Sequence, residues 1–423
     1  MNRSKLIFYA SAGAFITYFS MYAFRKPFTA GLFEGMAFWG VDYKILLVTF
    51  QLIGYASSKL IGIRFISELD KTKRIYLILG LVIFSWVALL LFSLTPAPVN
   101  AIFLLFNGLP LGLIWGIVFS FLEGRKLTEL LAAGLSVSFI VSSGSVKTIG
   151  RWLIEFGISE FWMPVVTGVL FFPFLILGVW MLSLIPEPSL ADRKARTVRP
   201  KMDKQSRRAF IRMFFPGLAA TVILYLSLTM FRDVRDNFAV DIWDTLGYLD
   251  VPSILTTTEA AIAGVILLIA GSLFLIKSNI KALQINLIII PACAVLMISS
   301  LLLYQYSVIG PVIWMILMGF SMYLPYITYH TMLLERWIAA FKVHGNVGFL
   351  MYIMDSVGYL GAIAILVVKN YISPEMDWGT FFIQLSWGTA FIMLTFGIYS
   401  SFYFTKKLKL SLTVSAKHEF STR

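Results

Sequence analysis

The chain has 423 residues, of which 59% are hydrophobic and only 13% are charged, with a mean hydropathy of +0.83. Soluble domains carry about 25% charged residues, so this composition excludes a soluble globular protein. One cysteine and three histidines leave no disulfide within the chain and argue against a metal or a cofactor held by these residues.

Twelve apolar runs of about 17 to 25 residues are long enough to cross a hydrocarbon core of about 30 Å as helices. The sequence therefore predicts an all-α integral membrane protein, and we expect the first run to be a retained span because it lacks a signal-peptide cleavage site. The predicted spans are 6–24 (or 6–38), 43–62, 75–94, 99–121, 129–150, 161–185, 210–231 (or 210–243), 255–276, 283–304, 308–329, 346–368 and 380–404.

The distribution of basic residues predicts the orientation. With the N-terminus in the cytoplasm, most of the 35 lysines and arginines fall in cytoplasmic loops and in the tail, which is the positive-inside pattern. Both termini are then cytoplasmic. The net charge of +13 is explained by the basic residues of the cytoplasmic loops and the tail, and we expect no nucleic-acid partner.

One hydrophilic stretch, PEPSLADRKARTVRPKMDKQSRR (186–208), divides the spans six and six. Glu123 and Arg125 after span four correspond to Glu335 and Arg336 after span ten, which indicates a weak internal repeat and a structural or gating role. Two parallel six-helix repeats are the architecture of major facilitator transporters. The predicted divisions are an N-terminal bundle 1–185, a basic cytoplasmic linker 186–209, a C-terminal bundle 210–404 and a cytoplasmic tail 405–423.

Cations within the apolar runs are the candidate substrate ligands, because each costs about 2.5 to 3.5 kcal/mol at a helix centre and normally faces a cavity. Arg25 in span one and Arg232 in span seven occupy matching places in the two halves, and together they could clamp an anion. The remaining candidates are Lys59, Lys147 and Arg235.

Alternatives remain open for each candidate. Arg25 is an outer interface anchor if its helix stops at Pro27, Lys59 could snorkel to an interface, and Lys147 could form an outer-end pair with Arg151. The stretch around Arg232 and Arg235 could equally be an outer loop of solvated ion pairs.

Two carboxylates lie among these candidates. Asp236 is four residues after Arg232, so it is predicted to neutralise that arginine when no ligand is bound. Asp355 interrupts span eleven and could carry a proton, pair with a cation in the cavity or be a satisfied polar residue.

Four stretches resemble the organophosphate:phosphate antiporters of the major facilitator superfamily. They are MYAFRKPFTAG (21–31), YASSKLIGIRFISELDKTKRI (55–75), the pair Arg232 and Asp236, and Asp355-Ser356. The resemblance implies a substrate role for Arg25 and a structural or gating role for Asp70 and Arg74. Adjacent residues on a helix point about 100° apart, so Lys26 cannot face the cavity together with Arg25 and is predicted to have a supporting role. The histidine that glycerol-phosphate exchangers carry in helix five is absent from VSSGSVKTIG (141–150).

Together these patterns predict a secondary active transporter that moves a small organic or phosphorylated anion by alternating access, and the resemblance implies exchange for phosphate. Its partners would be the anion and the lipid bilayer, and we expect a monomer in the inner (cytoplasmic) membrane. Two alternatives are a proton-coupled organic-anion carrier that uses Asp355 and a transporter-like sensor without flux. An enzyme is not expected, because the sequence shows no nucleophile and base pair.

Overall fold

A computed structural model describes residues 3–62, 71–122, 128–186, 204–343 and 345–421. Within these residues the chain is almost entirely helical, and its only strands are Ala37–Phe38 (β1) and Val41–Asp42 (β2), which pair in antiparallel fashion. The α-helices are α1 Arg3–Tyr22, α2 Tyr43–Gly62, α3 Lys71–Leu94, α4 Ala101–Leu122, α5 Thr128–Glu155, α6 Met163–Ser183, α7 Lys204–Asn237, α8 Ala239–Thr245, α9 Ser253–Phe274, α10 Asn279–Gln305, α11 Pro311–Thr328, α12 Leu334–Phe341, α13 Val347–Tyr371 and α14 Trp378–Ser421.

Nine helical segments in the described part of the chain are long and apolar enough to cross a membrane. The predicted spans 6–24, 43–62 and 129–150 correspond to α1, α2 and α5, which are helices but not among those nine. The total of twelve spans therefore stays a prediction. The nine segments are Lys73–Leu94, Ala101–Leu122, Met163–Ser183, Lys204–Asn237, Ser253–Phe274, Asn279–Gln305, Pro311–Phe341, Val347–Tyr371 and Trp378–Leu410.

The first helix ends before the Arg25-Lys26 pair, so the longer prediction to residue 38 is wrong. The backbone N–H groups of Arg25 and Lys26 both donate to the Tyr22 carbonyl, at 3.0 and 2.9 Å, which closes the last turn. Pro27 has no N–H to continue an α-helical ladder, and it instead begins a 3₁₀ turn, Pro27–Ala30. Both charged side chains are consequently carried by an irregular segment.

The described residues group into two packed units. The first falls within Met1–Arg196, Asp233–Leu267 and Ala362–Phe382, and the second within Thr197–Arg232, Leu268–Gly361 and Ile383–Arg423. This grouping follows packing and not chain order, since the last turn of α7 belongs to the first unit. The division into bundles 1–185 and 210–404 remains a prediction.

In the first unit, α2 and α4 approach closely because glycines face each other's backbone. A Cβ atom on Gly54 would lie 2.0 Å from the Leu105 carbonyl oxygen, and one on Gly108 would lie 2.3 Å from the Gln51 carbonyl oxygen. Glycine is therefore required at this crossing, where backbones meet without intervening side chains.

A buried asparagine ties this crossing to the end of α1. The Asn107 amide donates to the Phe24 carbonyl at 2.8 Å and to the Ser85 carbonyl at 3.0 Å, while its oxygen accepts from Gln51 at 2.8 Å. Gln51 also donates to the Arg25 carbonyl at 2.5 Å. Three helices thus fix the backbone that carries Arg25.

In the second unit, aromatic rings from α7, α12 and α14 pack together. The Trp337 ring lies 5.4 Å from Phe214 and 4.6 Å from Phe404 between ring centroids. The helical rod that begins with α11 passes through a π-helical turn, Tyr329–Leu333, before α12. Such turns rotate the side chains that follow them and are common at functional sites.

Candidate functional site

Arg25 is buried against aromatic rings. Its side chain is 7% exposed, and the guanidinium carbon lies 3.7 Å from the centroid of the Tyr55 ring and 5.7 Å from that of Tyr22. The Lys59 ammonium lies 5.4 Å from the same Tyr55 ring. Two of the predicted substrate cations therefore share one aromatic neighbour, which stabilises positive charge through its π face.

A second group of charges centres on Asp236 at the end of α7. We call Lys26, Ser143, Lys147, Asp236 and Asn237 the Asp236 cluster. The Lys26 ammonium lies 2.7 Å from one Asp236 oxygen, and the Lys147 ammonium lies 2.8 Å from the other. The two lysines are only 3% and 2% exposed.

Neutral groups complete the hydrogen bonding of this cluster. Lys26 donates to the Asn237 amide oxygen at 2.5 Å, Lys147 donates to the Ser143 hydroxyl at 2.6 Å, and Ser143 in turn donates to Asp236. Each lysine is thus held by one carboxylate oxygen and one neutral oxygen, as buried ammonium groups require.

Asp236 is therefore paired with two lysines, where the sequence predicted pairing with Arg232. A helical i,i+4 contact contributes only about 0.3 to 0.5 kcal/mol, so two buried tertiary contacts easily override it. Lys147 does not lie at a solvated outer end either, because its ammonium is buried on Asp236. Lys26 is paired with the same carboxylate, and its predicted role in supporting Arg25 stays a prediction.

Arg235, a predicted substrate ligand, forms an ion pair with Glu259 of α9. Its side chain is 2% exposed, and that of Glu259 is 11% exposed. The sequence analysis missed Glu259, although a signal was present: it is the only acidic residue in the predicted span 255–276. A carboxylate in an apolar run usually has a cationic partner.

The second unit holds another polar group, which we call the Tyr225 cluster: Tyr225, Arg232, Tyr326, His330 and Asp355. The Tyr225 hydroxyl donates to an Asp355 oxygen at 2.6 Å and lies 3.2 Å from Nε2 of His330. The Tyr225 and Tyr326 rings stack with centroids 5.6 Å apart. Asp355 is thus hydrogen-bonded within this cluster, and the choice among its predicted roles stays open.

Arg232 enters this cluster through Tyr326. Its guanidinium donates to the Tyr326 hydroxyl, and the guanidinium carbon lies 4.5 Å from the centroid of that ring. The structure therefore gives Arg232 an aromatic contact of the kind that Arg25 makes with Tyr55. The predicted two-arginine clamp stays a prediction.

His330 and Tyr225 were missed by the sequence reasoning, which set the histidines aside because there are only three. The available signal was the spacing of Tyr326 and His330, which are four residues apart and so share a helix face. Their contact with Tyr225 and Asp355 joins residues more than 100 positions apart, which no local pattern contains.

The remaining predicted residues lie away from these two clusters or outside the described residues. Arg74 donates to the Ser120 carbonyl at 3.4 Å, and Arg336 donates to the side-chain oxygen of Asn279 at 2.7 Å. Glu335 is half-buried on α12. The predictions for Asp70, Glu123 and Arg125 fall on residues outside the described part of the chain.

Lys44, at the start of α2, forms another buried ion pair. A lysine at the end of a membrane span commonly snorkels to the interface. The Lys44 side chain is instead 2% exposed, and its ammonium lies 2.6 Å from Asp241 of α8.

Within the described residues, no group of three or more His, Cys, Asp or Glu side chains could hold a metal ion.

Comparisons with known proteins place the chain in a family and a fold. The model of DUF5690, described as a family of unknown function, matches residues 27–407, whereas curated proteins include no significant match. The crystal structure of a D-xylose-proton symporter is similar with a TM-score of 0.60 and 12% identity, over 95% of this chain and 97% of that one.

The crystal structure of the human organic anion transporter MFSD10 (TETRAN) is similar with a TM-score of 0.55 and 13% identity, over 94% of this chain and all of that one (100%). At such low identity the similarity shows the fold alone. The chain is a multi-pass membrane protein with the fold of major facilitator transporters.

Proposed function

The chain belongs to the DUF5690 family, and we propose that it is a secondary transporter that moves a small organic or phosphorylated anion by alternating access. The observation that carries the proposal is the convergence of Lys26 and Lys147 on the two oxygens of Asp236, with both ammonium groups buried. Buried cations of this kind are expensive and usually serve a substrate or ion pathway.

The charges around Lys26 favour an anion over a cation. Arg25 and Lys147 lie close enough to act on Lys26 as positive neighbours, and Asp233 and Asp236 act as negative ones. Three cations against two carboxylates leave a positive excess. In a site with an effective dielectric near 20, one unit charge at about 4 Å contributes on the order of 4 kcal/mol before desolvation is subtracted.

Asp236 supplies a physical basis for exchange. In the empty state the single negative charge of Asp236 is shared by both lysines, and an incoming anion competes for the same two ammonium groups. An anion with two negative charges balances more of the positive charge of Arg25, Lys26 and Lys147 than Asp236 does, so the loaded site is favoured electrostatically over the empty one. This supports exchange over uniport, with phosphate as the counter-substrate that the sequence resemblance implies.

Within this proposal the predicted residues have distinct roles. Lys26 and Lys147 bind the anion together with Arg25. Lys59 adds positive potential, while Arg232 is the second arginine of the predicted clamp. Arg235 is held by Glu259 and contributes mainly to packing. The basic loops support an inner-membrane orientation with both termini in the cytoplasm, and the proposal requires one chain only.

A second candidate function is a proton-coupled organic-anion carrier. The hydrogen bond from Tyr225 to Asp355 favours it, because a carboxylate within a polar cluster can exchange protons as neighbouring groups move. The two candidates differ in their response to a pH gradient: exchange of two anions continues without one, whereas proton-coupled uptake requires it.

The test is counterflow in proteoliposomes loaded with phosphate, with labelled phosphate, phosphorylated sugars and carboxylates offered outside in turn. We expect Arg25→Ala and Arg232→Ala each to reduce counterflow by about 10- to 100-fold, since hydrogen bonds to charged groups are each worth about 1.5 to 3 kcal/mol. Lys277→Ala, at an exposed loop lysine, is the matched control and should exchange normally.

Normal counterflow in both arginine variants would overturn the assignment of the anion site. Saturable anion binding without any flux in the wild-type protein would instead identify a sensor that has kept the transporter fold.

A further inference from the structure

The Tyr225 hydroxyl faces two groups that both accept hydrogen bonds in their usual states. It lies 2.6 Å from an Asp355 oxygen and 3.2 Å from Nε2 of His330. A tyrosine hydroxyl has a single hydrogen, so it can donate to only one of them. In the other contact, the partner group itself must supply the hydrogen and Tyr225 must accept it.

The second ring nitrogen of His330 settles which hydrogens are available. Nδ1 lies 3.1 Å from the Tyr326 carbonyl oxygen, which can only accept, so Nδ1 carries a hydrogen. With one hydrogen in total, Nε2 would then be a bare acceptor. The contacts of His330 with the Tyr326 carbonyl and with Tyr225, and that of Tyr225 with Asp355, can all be hydrogen bonds at once only if His330 carries a second hydrogen or Asp355 is protonated.

We propose that His330, Tyr225 and Asp355 form a site that binds one exchangeable proton and shares it through the Tyr225 hydroxyl. In one form the His330 imidazolium donates Nε2–H to the Tyr225 oxygen, and Tyr225 donates to the Asp355 carboxylate. In the other, Asp355 has received the Tyr225 proton and Tyr225 has received the Nε2 proton. His330 and Asp355 are then neutral, and both hydrogen bonds are reversed.

Loss of this proton leaves two hydrogens, one on His330 and one on Tyr225, for these three contacts, so one contact must open. Tyr225, His330 and Asp355 lie on α7, on the π-helical turn and on α13, so the opening of either Tyr225 contact loosens one of these elements from the others. The π-helical turn itself places His330 opposite Tyr225, four residues after the Tyr326 carbonyl that binds Nδ1.

Other charged and titratable groups act on the same site. Arg232 and Tyr359 interact electrostatically with Tyr225, and the Tyr326 hydroxyl lies 3.5 Å from that of Tyr225. Tyr329 packs its ring 5.7 Å from Tyr225, between centroids. Arg232 donates to Tyr326, whose ring stacks on Tyr225. A change in the protonation state of the site can therefore alter the contacts of Arg232 through Tyr326.

The inference does not depend on the proposed substrate, and its test needs no transport. Purified full-length protein in detergent is titrated between pH ~4 and ~9, and the carboxyl and imidazole bands are followed by infrared difference spectroscopy. A shared proton predicts one titration step in the wild type that both His330→Gln and Asp355→Asn abolish. Groups that titrate independently would each lose a separate step at a different pH, and that result overturns the proposal.

Tyr225→Phe keeps both titrating side chains and removes the hydroxyl that joins them. We expect the imidazole and carboxyl bands, which change together in the wild type, to change in two separate steps in this variant. Tyr329→Phe is the matched control, because that hydroxyl lies 3.4 Å from the Thr221 carbonyl and outside the proton path, and it should titrate as the wild type. If His330→Gln or Asp355→Asn does not fold, Tyr225→Phe decides: an unchanged single step overturns the proposal.

Discussion

Replacing Asp236 by asparagine removes one negative charge and keeps the shape of the side chain. The variant leaves the ammonium groups of Lys26 and Lys147, which are 3% and 2% exposed, without their shared carboxylate. Removing one partner of a buried ion pair costs about 3 to 5 kcal/mol, because the remaining charge stays desolvated. We expect Asp236→Asn to lower the free energy of unfolding by about this amount.

The measurement is equilibrium unfolding of the purified protein in mixed detergent micelles, followed by tryptophan fluorescence. Asp244→Asn is the matched control, because Asp244 is an exposed carboxylate on α8, and it should change stability by less than about 0.5 kcal/mol. The double variant Asp236→Asn/Lys147→Met should recover part of the loss, because it removes one of the two orphaned charges.

The stabilisation of Asp236→Asn by added phosphate tests a second consequence of the same substitution. If the lysines bind anions, phosphate should stabilise Asp236→Asn more than the wild type, because the internal competitor is gone. If Asp236→Asn proved as stable as Asp244→Asn, the reasoning that this carboxylate stabilises two buried lysines would be refuted. Equal stabilisation of both proteins by phosphate would refute its role as the competitor.

Three further predictions concern the surrounding structure. Arg235→Met and Glu259→Gln should each lower the free energy of unfolding by about 3 to 5 kcal/mol, because each leaves the other charge of a buried pair without its partner. The double variant should have a free energy of unfolding much nearer that of the wild type in the same assay, because it leaves no unpaired charge. Gly54→Ala should cost about 1 to 3 kcal/mol because its Cβ would meet a backbone carbonyl of α4, whereas Gly80→Ala, with open space around it, should be neutral or stabilising. Burial raises the pKa of Asp377, but hydrogen bonds from the first turn of α14 outweigh it and hold that pKa below the usual aspartate value. Asp377→Ala should therefore cost about 1 kcal/mol at neutral pH, and the difference should vanish as the pH falls through the lowered pKa, as unfolding curves at several pH values would show.

The sequence located the charged residues that matter better than it located their partners. Arg25, Lys26 and Lys147 were singled out because they interrupt apolar runs, and that criterion depends only on the cost of placing charge in hydrocarbon. The same criterion would have found Glu259, had it been applied to span eight. Asp236 was singled out by its spacing from Arg232. The pairing of Asp236 with Arg232 was an inference from helical spacing, which describes only neighbours on one helix.

Hydropathy alone was enough to predict an all-helical membrane protein, because each helix in lipid must satisfy its own backbone hydrogen bonds and show an apolar surface. The partners of the buried charges were decided only by the tertiary structure. Lys26 meets Asn237 across 211 positions and Tyr225 meets Asp355 across 130, and no periodicity of the sequence spans such distances. Burial makes an unpaired charge so costly that packing, and not sequence spacing, selects the partner.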